Sequence, residues 1–418
     1  MDVRRRAVAA AVVGVVATLP FAVGALATDD VVAGGPATWT AVPAGAPAPG
    51  VAALAPGVAG VAGGIAGGLA GTVGAATAGV PGATAVGSVA EAVVPALLPR
   101  TPARSAVLRR VRAAVEDVVG ADGSRYDAKD DTGANLEGLK IAAAGAPGTP
   151  GAGSSGGSAS ARPRYVGVYH HRVGRDFVVA VAVSDDLRTW RRVRTLQHRA
   201  SQPTLRRLAD GSWLTAWEQE PRNHVRLRHA ATLDALLAGR FDATFDAPLT
   251  LAPTAEGTPD IRDVRLGDGI ADSTIEVGFH YYRAGDVDRE AVATLTDFRH
   301  WTARPRPDLD RALWAQGLRG NFGDRDTFAW GGTRFEVVEG QGRKGDWGSW
   351  RTTLRDLGTG ETVPLRMRAR FGQTSFGNPT VSVLPGPRGG TVLFTTAFVF
   401  GPGAPRGAGE LLSWRRVR

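Results

Sequence analysis

Four stretches of this sequence repeat one pattern: a polar residue, a short apolar run, a Gly turn, then a strand rich in β-branched and aromatic residues. They begin at "SQPTL" (201), "TPDIRDV" (258), "GDRDTF" (323) and "GNPTVSV" (377), and continue into "DGSWLTAW", "STIEVGFHYY", "GGTRFEVVEG" and "GGTVLFTTAF". Short apolar runs bounded by turn residues read as strands. No helix-period segment alternates with them, which disfavours a parallel sheet with crossover helices. Corresponding polar positions fall at 202, 260, 326 and 378, a pitch of 58, 66 and 52 residues. Four-stranded units repeated at such a pitch are the grammar of a β-propeller. One further unit ahead of residue 197 makes five. The expected fold is all-β, a five-bladed β-propeller over 124–418.

A smaller phrase also occurs twice. "SDDLRTW" (184–190) and "LTDFRHW" (295–301) place an Asp, an apolar residue, an Arg, a spacer and a Trp in the same order, with the Trp residues 111 apart. Two units of about 55 residues separate them. The Asp is expected to turn the chain between outer strands, and the Trp to pack between blades. The phrase marks the fold and carries no chemistry.

The first third of the chain has a different character. "MDVRRR", the apolar run "AVAAAVVGVVATLPFAVG" and Ala25-Leu26-Ala27 have the order of an export signal, 1–27. An uncleaved anchor is the alternative, and Pro20 with the small residues behind it favours cleavage. Residues 28–104 are mostly Ala, Gly, Pro and Val, a composition that offers little area to bury against a high ordering cost. They are expected to form a disordered linker. Apolar residues at helical spacing in "SAVLRRVRAAVEDVVG" predict a short helix within 105–123, and the Gly- and Ser-rich 142–163 reads as a flexible insertion in the propeller.

Formal net charge is +9, but only three of the 49 basic residues are Lys and the Arg residues are scattered, so no basic stripe suited to nucleic acid is present. The absence of Cys excludes disulfides and thiolate metal sites. The seven His residues show no metal-binding spacing, so no cofactor is expected. Asp and Asn at the strand starts are the kind of oxygen ligand that Ca²⁺ takes, though no spacing requires it.

The phrase "AVSDDLRTWRRV", followed by "SQPTLRRLADGSWLTAW", resembles the five-bladed propellers of glycoside hydrolase families 43 and 32, which include arabinanases, xylosidases, invertases and levanases. The resemblance spans about 124–418 and lies in the blade grammar. It implies three carboxylates at the mouth of a central funnel: a base or nucleophile, a general acid, and a residue that tunes the acid. Breaking a glycosidic bond needs one group to protonate the leaving oxygen and another to activate water or attack the anomeric carbon.

Carried onto this chain, the resemblance implies Asp131 as the base, in "YDAKDDTGANLEGLKI", with Glu256 and Asp260 of "AEGTPDIRDV" supplying the acid and its modulator. Gln202 stands where the family places an Asp, and an amide cannot ionise. Gln202, Asp324, Asp326, Asn378 and Tyr281 are candidate sugar-binding residues. Glu339 precedes Gly, as Glu256 does, but a solvated strand end is the simpler reading of it. The expected protein is an exported, monomeric glycoside hydrolase with a carbohydrate substrate and no stable membrane insertion after cleavage. The alternative is a propeller that binds glycan or cell-wall polymer without cutting it. A sialidase-like site is disfavoured because "SDDLRTW" lacks the Gly of that family's repeated box.

Overall fold

The computed structural model describes residues 97–145, 163–283, 287–400 and 409–417. The expected export signal, nearly all of the 28–104 linker and most of the 142–163 insertion lie outside the described residues.

The described chain forms five antiparallel four-stranded sheets. Blade 1 is completed by strands after the short β1 (Gly123–Arg125): β2 (Glu137–Ala143), β3 (Tyr165–Val173), β4 (Asp176–Ser184) and β5 (Arg191–His198). Blade 2 holds β6 (Ala200–Arg207), β7 (Trp213–Gln219), β8 (His224–Ala230) and β9 (Ala243–Asp246). Blade 3 holds β10 (Glu256–Leu266), β11 (Ser273–Tyr282), β12 (Asp288–Thr296) and β13 (His300–Pro305). Blade 4 holds β14 (Phe322–Trp330), β15 (Thr333–Gln341), β16 (Trp350–Asp356) and β17 (Thr362–Pro364). Blade 5 holds β18 (Ser375–Pro385), β19 (Thr391–Phe400) and β20 (Gly409–Val417), and β1 supplies its fourth, outermost strand. The first strands β2, β6, β10, β14 and β18 touch one another in sequence and close a ring. This is a five-bladed β-propeller.

Burial along each blade explains the strand order. β4, "DFVVAVAVS", lies between two partners and two neighbouring blades, and Val178–Ser184 are all buried. β8 alternates, with Val225 and Leu227 inward and Arg226 and Arg228 turned out. The rim strand β5, "RRVRTLQH", buries only Leu196. Hydrophobic clusters fill the seams between blades, such as Leu139, Tyr169, Trp190, Phe394 and Leu412 between blades 1 and 5.

The ring is closed by the two ends of the propeller segment. β1 pairs with β20 through Gly123–Trp414, Ser124–Ser413 and Arg125–Leu412. Gly123 is required there, because a Cβ would run into the Trp414 ring. Ahead of it, helix α1 (Pro102–Glu116) starts with Thr101 accepting the Arg104 N–H at 3.2 Å and Pro102 in the first turn. Leu108, Val111 and Val115 share one face and pack on Phe328, Phe335, Leu354 and Leu365. Arg104 fastens the helix to blade 4 by a two-pronged pair with Asp356 at 2.7 and 2.5 Å.

Both copies of the Trp phrase lie between the third and fourth strands of their blades. Asp186 accepts the N–H groups of Arg188 and Thr189, each at 2.8 Å, and Leu187 takes φ 65° to make the turn. Asp297 and Phe298 adopt φ 53° and 52° in the second copy. Trp190 is buried in the seam between blades 1 and 5, whereas Trp301 is half-buried against Phe245 and Phe279. The repeated Trp residues therefore differ in burial, and their deletions should differ in cost. Trp190→Ala is expected to destabilise the fold by about 3–5 kcal/mol, and Trp301→Ala by clearly less, measured by equilibrium denaturant unfolding. Equal losses would contradict the packing described.

Candidate functional site

Each first strand breaks its ladder at the same place. Register shifts fall between Glu137 and Lys140, Ser201 and Thr204, Gly257 and Asp260, Phe322 and Arg325, and Gly377 and Thr380. Two residues there face one on the second strand, a β-bulge. Gly138, Gln202, Thr258 and Asn378 take left-handed φ values of 63°, 53°, 48° and 48° as the first bulge residue. Pro203, Pro259 and Pro379 follow in three of the blades. The bulges re-aim the strand starts at the axis, which is why the polar residues named from the repeat converge.

Side chains from second strands meet the N–H groups that the bulges free. His170 Nδ1 accepts from Gln202 N at 3.3 Å, and Glu218 Oε2 accepts from Thr258 N at 3.0 Å. Glu339 accepts from Asp324 N at 2.9 Å and from Asn378 N at 2.6 Å. Three of these four bonds run from one blade to the next, so they also lock the ring.

Below the bulges an ion pair plugs the axis. Lys140 Nζ lies 2.6 Å from both carboxylate oxygens of Asp326 and donates to the Val381 carbonyl at 3.2 Å. Asp326 also accepts the Val381 N–H at 2.7 Å. Asp260, fully buried, accepts the Thr327 hydroxyl at 2.5 Å. Burial holds the Asp260 carboxyl above the usual range, while Thr327 and Lys140 pull it down. The space left between Gln202, Asp324, Asp326 and their neighbours is about 10 Å³, about one water at most. The axis is therefore closed to anything the size of a sugar.

The mouth is rich in carboxyl groups. Burial pushes Glu218 on β7, Asp288 on β12 and Asp324 on β14 each up to about 7. Asp288 also raises Glu218, and Glu218 raises Asp324. Glu339, on β15, is pushed well above the ordinary range by burial and by Asp324. Glu339 receives two backbone N–H bonds, which pull it back toward its charged form, and Asp324 and Glu339 titrate as a coupled pair that holds a proton between them near neutral pH. Asp324 is also the less buried of the two.

Blade 1 brings a second group. Glu137, half-buried, accepts from Asn135 Nδ2 at 3.1 Å, and His170 Nε2 lies 3.4 Å from its other oxygen. Burial lowers His170 to about 3, so it is neutral. Its Nδ1 accepts from Gln202, which leaves the proton on Nε2, toward Glu137. Burial and the Glu137 charge raise Glu410 well above the usual range, and burial raises Glu137 too. Gln202 and Asn378 join blades 2 and 5 through an amide contact of 3.3 Å, and Gln202 Oε1 has no partner among the described residues.

The residues named from the sequence separate into two groups. Gln202, Asp324, Asp326 and Asp260 gather at the axis, and Asn378 stands at the mouth with Gln202. Asp131 does not join them: it is exposed and accepts from Arg192 N at 2.8 Å on β5, the outermost strand of blade 1. Glu256 is buried, and one oxygen accepts the N–H groups of Thr250, Leu251 and Ala252, so it ties down the chain ahead of β10. Tyr281 packs in the core of blades 2 and 3 beside Phe279 and Ala291, and offers no ring to the mouth. Glu137, Glu218 and Asp288 were missed. Glu137 opens a strand behind the acidic phrase "YDAKDD", whose Asp residues have the same composition signal, and Glu218 stands next to the end of its strand, where solvation is the ordinary reading.

No protein-family model and no curated protein sequence matches the chain. Among solved structures it is similar to a glycoside hydrolase (11% identity, 77% of this chain and 97% of that chain, TM-score 0.48). It is also similar to an exo-1,5-α-L-arabinanase from a bovine ruminal metagenomic library (10% identity, 70% and 96%, TM-score 0.43). A thermostable family-43 glycoside hydrolase is a third (10% identity, 60% and 88%, TM-score 0.39). At such identities and TM-scores these similarities assign no activity.

The carboxyl groups make stability depend on pH. Glu218, Asp288 and Asp324 hold protons up to about 7 in the folded chain, whereas unfolded carboxylates release them near pH 4. The folded state therefore binds more protons between these limits, and stability falls as pH rises from about 4 through about 7. The melting temperature is expected to drop between pH 5.5 and 8 by an amount that Asp324→Asn reduces. Parallel curves for the two proteins, measured at constant ionic strength, would contradict the assignment.

Proposed function

We propose that this chain is an exported, carbohydrate-active propeller that hydrolyses a glycosidic bond at its mouth, with residues 1–27 as its export signal. Asp324 is the proton donor in this reading, and Glu137 is the carboxylate that activates water or attacks the sugar. The observation that carries it is the position of Asp324: a half-buried carboxyl in the bulge of β14, tied through its backbone N–H to Glu339, in surroundings that raise it to about 7. A donor of that kind matches a leaving glycosidic oxygen near neutral pH. Glu137 belongs to a blade that is not adjacent to blade 4 in the ring. The two carboxyls thus approach a ligand from different sides, as glycoside hydrolysis requires. Gln202 and Asn378, between them in the ring, offer amides to sugar hydroxyls.

A second reading, glycan binding without cleavage, is favoured by how the acids are used. Glu218 and Glu339 spend their oxygens on backbone N–H groups, and Gln202 puts an amide where the resembling families carry an Asp. Aryl-arabinofuranoside, aryl-xyloside and fructan panels separate the readings. Hydrolysis is expected on at least one, with a rate that falls above about pH 7 as Asp324 loses its proton. Asp324→Asn should lower kcat/KM by at least about a hundredfold with the fold intact. Flat traces on every substrate, together with retention on a polysaccharide column, would overturn the hydrolase and leave the binder.

A further inference from the structure

Away from the mouth, α1 meets the rims of blades 4 and 5 over a groove of about 520 Å³. Arg110 of α1, Arg366 and Arg368 of the β17–β18 connection, and Arg415 of β20 line it, with only Glu116 and Asp117 as acids. Both acids are already occupied. Asp117 holds Arg368 at 2.8 Å and Arg415 at 3.1 Å, while Glu116 accepts from Arg112 Nε and from Arg366 N, each at 2.8 Å. They therefore fix three guanidinium groups in place, those of Arg112, Arg368 and Arg415, and neutralise neither Arg110 nor the Arg366 side chain. Those two are exposed and have no carboxylate partner among the described residues. Arg415 keeps an Nε that is shielded from solvent and has no hydrogen-bond partner among the described residues. Ala113 and Ala114 leave the helix side of the groove without bulk.

Several planar guanidinium forks around one concave site suit a multidentate oxyanion better than a neutral sugar. The size falls in the range of small-molecule sites. We propose that this groove binds a phosphate-bearing ligand, at a site separate from the propeller mouth and independent of what the mouth does. Arg110 and Arg366 are the groups that meet the phosphate, and Arg368 and Arg415, positioned by Asp117, complete the cradle. A phosphate can arrive free in solution or as a lipid headgroup, and the chemistry is shared.

The test uses the full chain. Pyrophosphate is titrated calorimetrically at low and at physiological salt, and sedimentation is followed with vesicles of phosphatidylglycerol against phosphatidylcholine. The Arg110→Gln/Arg366→Gln variant changes two exposed side chains outside the ion pairs that hold the fold, so its melting temperature should match wild type. Saturable pyrophosphate binding, weakened at least about tenfold in the variant, is expected, the scale of one lost charge-assisted hydrogen bond. Vesicle binding that pyrophosphate competes away would identify the lipid source, and pyrophosphate binding without sedimentation the soluble one. No saturable binding to either, or binding that the variant leaves unchanged, would overturn the proposal.

Discussion

Everything at the mouth depends on one backbone demand. Each first strand gives up part of its ladder to turn its opening residues toward the axis, and the freed N–H groups lie where water has little access. A buried N–H left unmet costs about 1–3 kcal/mol. Here the donors are met by His170, Glu218 and Glu339, all on second strands and mostly reaching across to the next blade. The bond that satisfies a bulge is thus also a bond that holds two blades together.

That solution has an electrostatic consequence. Using carboxylates as acceptors concentrates acidic groups in a narrow, desolvated ring, where each makes it harder for the next to ionise. Arg325 answers part of this, since its guanidinium is fully buried and pairs with Glu290 at 2.8 Å. Lys140 answers another part lower down by neutralising Asp326. Asp324 is left between them, with neither cation bonded to its carboxyl group. A proton is what balances it. Structural need and acid chemistry are therefore two aspects of the same arrangement.

The repeat read from the sequence located the blades well, because strand starts, Gly turns and the Trp phrase are local signals. Gln202, Asp324, Asp326 and Asn378 were legible for the same reason: each stands in the repeated position ahead of a Gly turn. The second-strand acids were not. Glu218 in "SWLTAWEQ" and Asp288 at the start of β12 look like ordinary polar residues at strand ends. The role of Glu218 appears only when the neighbouring blade's bulge is placed against it, a contact across 40 residues to Thr258. Asp131 and Glu256 show the converse. Both lie in phrases of the right composition, but Arg192 and the 250–252 backbone claim their carboxylates for local structure.

The strand that completes blade 5 comes from the beginning of the propeller segment, and its partner from the far end. Gly123 cannot find Trp414 until nearly 300 residues of intervening chain have been made. A ribosome thus releases four blades' worth of strands before the circle can join, with seams such as the one around Trp190 still open to solvent. The growing polypeptide spends that interval as an unclosed arc, when it is most exposed to misassembly and to chaperones.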